Sequence, residues 1–129
     1  MNYVDGTMAK TRLDKWEGRS WGSGDDYDWE EAFKFASASC SSIPGHECDT
    51  GPFDLNSVDD VIASVFGQND EESWLALVKL KDGRFCFVSA ACDYTGWDCQ
   101  AGGASTVCMD LGTLKRLGMD SFERKRLGL

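Results

Sequence analysis

The densest set of reactive side chains lies in residues 92–100, which read C-D-Y-T-G-W-D-C-Q. Asp93 and Asp98 could act as acid and base groups or bind a cation. Tyr94 and Trp97 could form the walls of a ligand site. The opposing interpretation is a tight loop whose tryptophan fills the core and whose aspartates bond local backbone N–H groups. The candidate functional-loop residues are Asp93, Tyr94, Trp97, Asp98 and Gln100.

Thiols and the single histidine offer a second kind of chemistry. The chain has six cysteines but no C-x-x-C spacing. His46 and Cys48 in one loop, with Cys92 and Cys99 in another, would supply the four ligands of a tetrahedral zinc site. Zinc would also hold down the long loop that contains His46. Alternatively, these are unrelated residues or one isolated disulfide.

Two of the three other cysteines are predicted to lie in the core. Cys86 and Cys108 lie within apolar runs that have strand character, and free cysteine behaves there as a small hydrophobe. The sequence therefore assigns them no chemistry.

A third candidate site is acidic. Residues 1–72 hold 16 acidic and 5 basic residues, whereas residues 73–129 hold 6 and 8. The densest patch, D-D-Y-D-W-E-E at 25–31, alternates acids with aromatics, which suits docking on a basic partner. The alternative is a solvated helix start whose acids favour the helix dipole. The candidate partner-binding residues are Trp21, Asp25, Asp26, Tyr27, Asp28, Glu30 and Glu31.

Overall charge excludes some classes of function. The net charge is -9 and the sequence pI is about 4.4, which disfavours direct binding to nucleic acid or to an anionic membrane. No apolar run approaches the roughly 20 residues that span a bilayer. The N-terminus has neither a basic start nor an apolar segment typical of a secretory signal. We therefore expect a cytoplasmic protein with reduced thiols.

Two helices are predicted in the acidic half. Asp28 can cap the first, in which Trp29, Ala32, Phe33 and Ala36 fall on one face. Ser37 to Pro52 reads as a long loop. Ser57 can cap the second helix, whose apolar stripe ends before Gly67. The stripe consists of Val58, Val61, Ile62, Val65 and Phe66.

The other half predicts strands followed by helices. Residues 74–80 and 84–90 form a hairpin around Asp82-Gly83, and residues 105–109 form a third strand. Both hairpin strands are apolar on both faces, which indicates a sheet covered on two sides. Short helices follow, one capped by Asp110 and stopped at Gly118, the other running from Asp120 to about Leu127.

Together these elements predict an α+β fold. We expect a small antiparallel sheet of about three strands, with a central hairpin, packed by about four short helices. The length predicts a single domain over residues 1–129. Its parts are an irregular acidic segment (1–27), a helical acidic part (28–72) and a sheet with C-terminal helices (73–129).

Three segments carry a resemblance. L-K-D-G-R-F at 80–85, C-D-Y-T-G-W-D-C-Q at 92–100 and R-K-R-L-G-L at 124–129 resemble small uncharacterised proteins of phages and bacteria. The likeness covers roughly residues 57–129. It implies a phage or prophage setting and a cytosolic protein, and it carries over no activity.

The function favoured by these observations is non-enzymatic. We expect an acidic binding or inhibitor protein that occupies the basic, nucleic-acid-binding surface of a protein partner. In the phage setting that the resemblance implies, the target could be a bacterial defence complex, as with anti-CRISPR proteins. One alternative is a ligand-binding domain or enzyme centred on residues 92–100. Another is a zinc-stabilised interaction module, the only hypothesis that needs a cofactor. A homo-oligomer is left open.

Overall fold

The protein is built around one mixed β-sheet. The computed structural model describes residues 29–65, 73–93 and 100–129. In chain order the elements are α1 (Trp29–Ala38), β1 (Cys40–Ser42), a 3₁₀ turn (Leu55–Ser57), β2 (Val58–Val65), β3 (Trp74–Leu80), β4 (Phe85–Asp93), β5 (Gln100–Cys108), α2 (Leu111–Leu117) and α3 (Ser121–Arg126). The strand order is β1-β5-β4-β3-β2, with β1 parallel to β5 and all other pairs antiparallel.

The α+β class is confirmed, but the element counts are not. The described ranges contain five strands and three α-helices, whereas the sequence predicts about three strands and four helices. The sheet is mixed because β1 pairs in parallel with β5. The predicted hairpin is confirmed as β3 and β4, and it lies in the interior of the sheet.

Alternation along the strands divides the core into two layers. Ala76, Val78, Cys86 and Val88 point to a first layer, which contains the apolar side of α1. Leu75, Leu77 and Phe87 point to the second, where Leu114 of α2 and Leu127 after α3 cover them. Successive strand residues face opposite sides of a sheet, so α1 lies on one face and the α2–α3 pair on the other.

Helix α1 forms as its apolar spacing predicts. Trp29, Ala32, Phe33 and Ala36 are fully buried. The Trp29 and Trp74 rings meet edge to face with centroids 4.9 Å apart, a preferred geometry for aromatic pairs. The C-terminal end of α1 is fixed to β5, because the Ser105 hydroxyl donates to the Ala36 carbonyl at 2.7 Å.

The predicted second helix is wrong: residues 58–65 form strand β2. Its pairing with β3 is interrupted by two register shifts, between Val58 and Asp60 and between Val61 and Ala63. Each shift is a bulge that adds one residue to β2, and it moves the residues after it to the opposite face of the sheet. Val58 and Val61 therefore share a face although they are three apart, which imitates helical spacing. Ser57 ends a 3₁₀ turn that Asp54 caps, so the part over 28–72 is not purely helical.

The predicted loop from Ser37 to Pro52 is also partly wrong. It begins inside α1 and contains β1, which pairs with residues 105–107 of β5. After β1 the chain reverses tightly, with Ile43 bridged to His46. Only the stretch from 47 to 54 is irregular.

The C-terminal elements follow the sequence prediction closely. Asp110 caps α2 through the Thr113 amide, and Gly118 is the C-cap that follows Leu117. Asp120 and Glu123 form a reciprocal capping box at the start of α3. The third predicted strand is β5, which begins five residues earlier than the apolar run suggests.

Candidate functional site

Arg84 is the most unusual side chain in the described residues, because it is charged and almost completely buried. Only 6% of its surface is exposed. It follows the turn of the β3–β4 hairpin, where Gly83 has a positive φ of 99° that favours glycine. Asp82 Oδ2 accepts from Arg84 Nε at 2.9 Å and lies 2.8 Å from Nη2. This two-point contact orients the guanidinium.

The third guanidinium nitrogen reaches across to the irregular segment. Arg84 Nη1 donates to the carbonyls of Asp49 and Gly51, at 2.7 and 3.2 Å. The same segment is fixed to α1, since the Phe53 amide donates to the Ser37 hydroxyl at 3.0 Å. Phe53 also stacks edge to face on Phe33. Residues 47–54 therefore form a loop that is fixed to Arg84 and to α1, and we call it the clamped loop.

Carboxylates project from this clamped loop into solvent. Glu47, Asp49 and Asp54 are all exposed. One oxygen of each also accepts from a nearby backbone amide: Gly45 for Glu47, Gly51 for Asp49, and Asn56 and Ser57 for Asp54. The bond from the Gly45 amide is the main reason that the pKa of Glu47 is lowered. The three side chains are thus oriented by backbone amides close to them in the chain.

Charge is concentrated on this side of the sheet. Residues 29–65 contain seven acidic residues and one lysine, Lys34. The clamped loop contacts α1 through Ser37 and Phe33, so the two elements lie together on the first face. We call the exposed carboxylates of Glu30, Glu47, Asp49 and Asp54 the acidic surface.

The predicted N-terminal patch falls mostly outside the described residues. Glu30 is exposed on the first turn of α1, and Glu31 lies in the same helix. The remaining five candidates are not among the described residues: Trp21, Asp25, Asp26, Tyr27 and Asp28. The structure adds the carboxylates of the clamped loop, which the sequence did not single out.

The predicted functional loop lies at a hairpin between the two longest strands. Asp93 pairs with Gln100 at the end of the β4–β5 ladder, next to the pair Cys92 and Ala101. The backbone therefore brings the two ends of the segment together. Tyr94, Trp97 and Asp98 lie outside the described residues.

Two of the four proposed zinc ligands, Cys48 and Cys92, lie near opposite ends of β4. Cys48 immediately precedes Asp49, whose carbonyl binds Arg84, and therefore lies beside the start of β4. Cys92 is near the other end of β4, seven residues beyond Phe85, or about 23 Å along an extended strand. Zinc ligands must all approach the metal within about 2.3 Å. Cys99 lies outside the described residues, and His46 is exposed beside Cys48.

The core assignment of two thiols is confirmed. Cys86 and Cys108 are buried, and burial strongly raises the pKa of Cys86. Cys40 and Cys48 are half-buried against the first core layer, and burial also raises the pKa of Cys48. Among the described residues, no three or more His, Cys, Asp or Glu side chains are grouped to hold a metal ion.

Sequence reasoning missed Arg84 as the organiser of this region. The available signal was its position: a lone arginine directly after the Asp82-Gly83 turn, entering a strand that is otherwise apolar. A charged residue at the base of a buried hairpin needs a fixed partner. Sequence alone does not identify the second partner, because the carbonyls of Asp49 and Gly51 are more than thirty residues away.

No protein-family model matches the chain, and no curated protein or solved structure is similar enough to count as a match. Within the described ranges, no helix is sufficiently long and apolar to cross a membrane.

Proposed function

We propose that this protein is a non-enzymatic binding protein whose acidic surface covers a basic, nucleic-acid-binding surface of a protein partner. The observation that supports this most is the clamped loop, which presents exposed carboxylates on a backbone held by Arg84 and Ser37. Charges held in place before binding cost less conformational entropy on association. They also increase the association rate with an oppositely charged surface.

The sequence extends this proposal beyond the described residues. Asp25, Asp26 and Asp28 precede α1 directly, with Trp21 and Tyr27 as aromatic anchors. The resemblance to phage proteins adds a narrower proposal, that the partner belongs to a bacterial defence complex in the manner of anti-CRISPR targets. The physical requirement is the same in either case: the partner's surface must normally bind phosphate.

The test compares two variants that remove the same charge, one from the clamped loop and one from α3. E47Q/D49N neutralises the clamped loop while retaining oxygen acceptors for Gly45 and Gly51. D120N/E123Q neutralises the capping box of α3, and its amide oxygens can still accept from the Glu123 and Asp120 backbone amides. Partners captured by immobilised wild-type protein are identified by mass spectrometry. Each captured partner is then assayed for nucleic-acid binding by fluorescence anisotropy, in the absence and in the presence of the wild-type protein or a variant.

We expect the wild-type protein to displace nucleic acid from its partner, with an affinity that falls as salt rises. E47Q/D49N should bind about tenfold more weakly with a smaller salt slope, and D120N/E123Q should bind as the wild type does. Equal affinities for all three proteins would disprove a role for the clamped loop. A partner that binds nucleic acid and this protein at once would disprove the proposed competition.

A further inference from the structure

The last two helices form a surface opposite in charge to the rest of the chain. Residues 111–129 contain five basic and two acidic residues, while the preceding 110 residues contain 8 and 20. Two of these bases serve the fold. Arg124 joins α3 to the Lys115 and Met119 carbonyls, and Arg126 donates to the Ser73 carbonyl. Arg116 and Lys125 remain exposed.

Large apolar side chains accompany these bases. Leu117 at the end of α2 is 53% exposed, and Phe122 in the first turn of α3 is 61% exposed. Lys125 follows Phe122 by three residues, so the two lie on the same side of α3. Arg124 fixes α2 and α3 to one another. Arg116, Leu117, Phe122 and Lys125 thus belong to one rigid unit, which we call the basic surface.

The chain itself offers a matching surface. The acidic surface is carried by α1 and the clamped loop on one face of the sheet, and the basic surface by α2 and α3 on the other. A molecule cannot bring its own two faces together across the sheet. Two copies can do so, when the basic surface of one meets the acidic surface of the next.

We infer that the basic surface docks on the acidic surface of a second copy of this chain. Because the two surfaces lie on opposite faces, the contact is head to tail and leaves a free surface of each kind at the ends. Exposed apolar residues with a charged rim are typical of such interfaces. This inference needs no other protein, and it stands without the proposed function.

The first experiment measures the mass of the full chain in solution. Sedimentation velocity is recorded over a range of protein concentrations at about 50 and about 500 mM NaCl, where screening differs severalfold. We expect dimers and then larger species at low salt, and dissociation at high salt. A monomer at every concentration, or a single closed dimer that does not grow, would overturn the inference.

Matched variants identify the surfaces. R116Q/K125Q removes two exposed charges from the basic surface, and K34Q/K81Q removes two exposed lysines that lie elsewhere. We expect the first to weaken association about tenfold and the second to leave it unchanged or to strengthen it. L117S/F122S should also weaken association, whereas M109S, at an exposed residue beside Gly83, should not. Circular dichroism confirms that each variant is folded.

A mixture of two complementary variants tests whether the basic surface of one copy binds the acidic surface of the other. E30Q/E47Q/D49N lacks charges of the acidic surface but keeps the basic one, and R116Q/K125Q is the converse. At a concentration where each variant alone is monomeric, an equal mixture should give a dimer of one copy of each. A mixture that remains monomeric contradicts the inference.

A last arm tests the alternative occupant of the basic surface. Vesicles of phosphatidylserine and phosphatidylcholine are sedimented with the wild-type protein and with R116Q/K125Q. We expect no co-sedimentation, because the net charge of -9 opposes an anionic bilayer. Binding that R116Q/K125Q abolishes would assign the basic surface to lipid instead.

Discussion

Arg84 joins two separate parts of the chain, the hairpin turn and the clamped loop, through one side chain. Its guanidinium contacts the hairpin turn at Asp82 and the clamped loop at Asp49 and Gly51. Arginine suits this position because its planar group offers several donors in fixed directions. A buried charge is costly unless such partners are supplied. The same contacts that satisfy Arg84 also determine where the exposed carboxylates stand.

We predict that Arg84→Met destabilises the protein by about 2 kcal/mol, the usual size for losing hydrogen bonds to a charged group. Arg84→Lys should lower the free energy of unfolding less, since lysine keeps the positive charge but lacks the planar set of donors of the guanidinium. Urea denaturation measures both. Hydrogen exchange should show faster exchange at Gly51 and Phe53 in Arg84→Met. Unchanged exchange there would mean that the clamped loop is held without Arg84.

The Arg84–Asp82 pair also predicts a dependence of stability on pH. The hydrogen bond from Arg84 lowers the pKa of Asp82 below its ordinary value of 3.8. A carboxyl whose folded pKa is depressed stabilises the fold above its unfolded pKa. That contribution is lost as the pH falls through the folded value. The difference in unfolding free energy between wild type and Arg84→Met should therefore narrow below about pH 4.

The control for this pH series is Asp82→Asn. In that background the effect of Arg84→Met should no longer change between neutral and acid pH. If the difference in unfolding free energy between wild type and Arg84→Met stays unchanged below about pH 3, Asp82 is not the titrating partner.

At the scale of elements, sequence periodicity predicted the helices and the hairpin but not β2. The reason lies in the two bulges, which place Val58 and Val61 on one face and Ala63 and Val65 on the other. The better signal was composition: Val58, Val61, Ile62 and Val65 are β-branched, which favours a strand. Strand β1 gave no signal, because three polar or small residues pair only with a distant strand.

The candidate site was predictable in its chemistry but not in its position. The excess of acids before residue 73 predicts an acidic part of the chain, and Glu47, Asp49 and Asp54 are exposed within it. Sequence could not identify Glu47, Asp49 and Asp54 as its described carriers, because their presentation depends on Arg84 and Ser37, which are remote in sequence.

Close packing between α1 and β5 allows a test with two neighbouring glycines. A Cβ on Gly103 would lie 3.1 Å from the Ala36 amide nitrogen, the Ser89 carbonyl oxygen and the Ala90 Cβ, whereas a Cβ on Gly102 would meet nothing within 4 Å. We expect Gly103→Ala to cost about 1–3 kcal/mol through overpacking. Gly102→Ala should be neutral or slightly stabilising. Thermal denaturation compares them, and equal midpoints would contradict the close approach.

For the whole molecule, the concentration of like charges on one surface lowers the stability of the fold. The acids of α1 and the clamped loop repel one another, and salt screens exposed charges. We predict that the melting temperature of the wild-type protein rises between about 50 and about 500 mM NaCl. E30Q/E47Q/D49N should begin higher and rise less. A lower melting temperature for this variant at all salt concentrations would show that these carboxylates matter more for their local hydrogen bonds.

The pairing of β1 with β5 constrains how the chain folds during synthesis. Helix α1 and β1 find their partners on β5, where Ser105 binds a carbonyl 69 residues earlier. The β3–β4 hairpin is local and can form as soon as it is made. The apolar side of α1 can meet Phe53 and Trp74 earlier, but its contact with β5 must wait until that last strand leaves the ribosome. A nascent chain is therefore most open to chaperones and aggregation while its strands are still being synthesised.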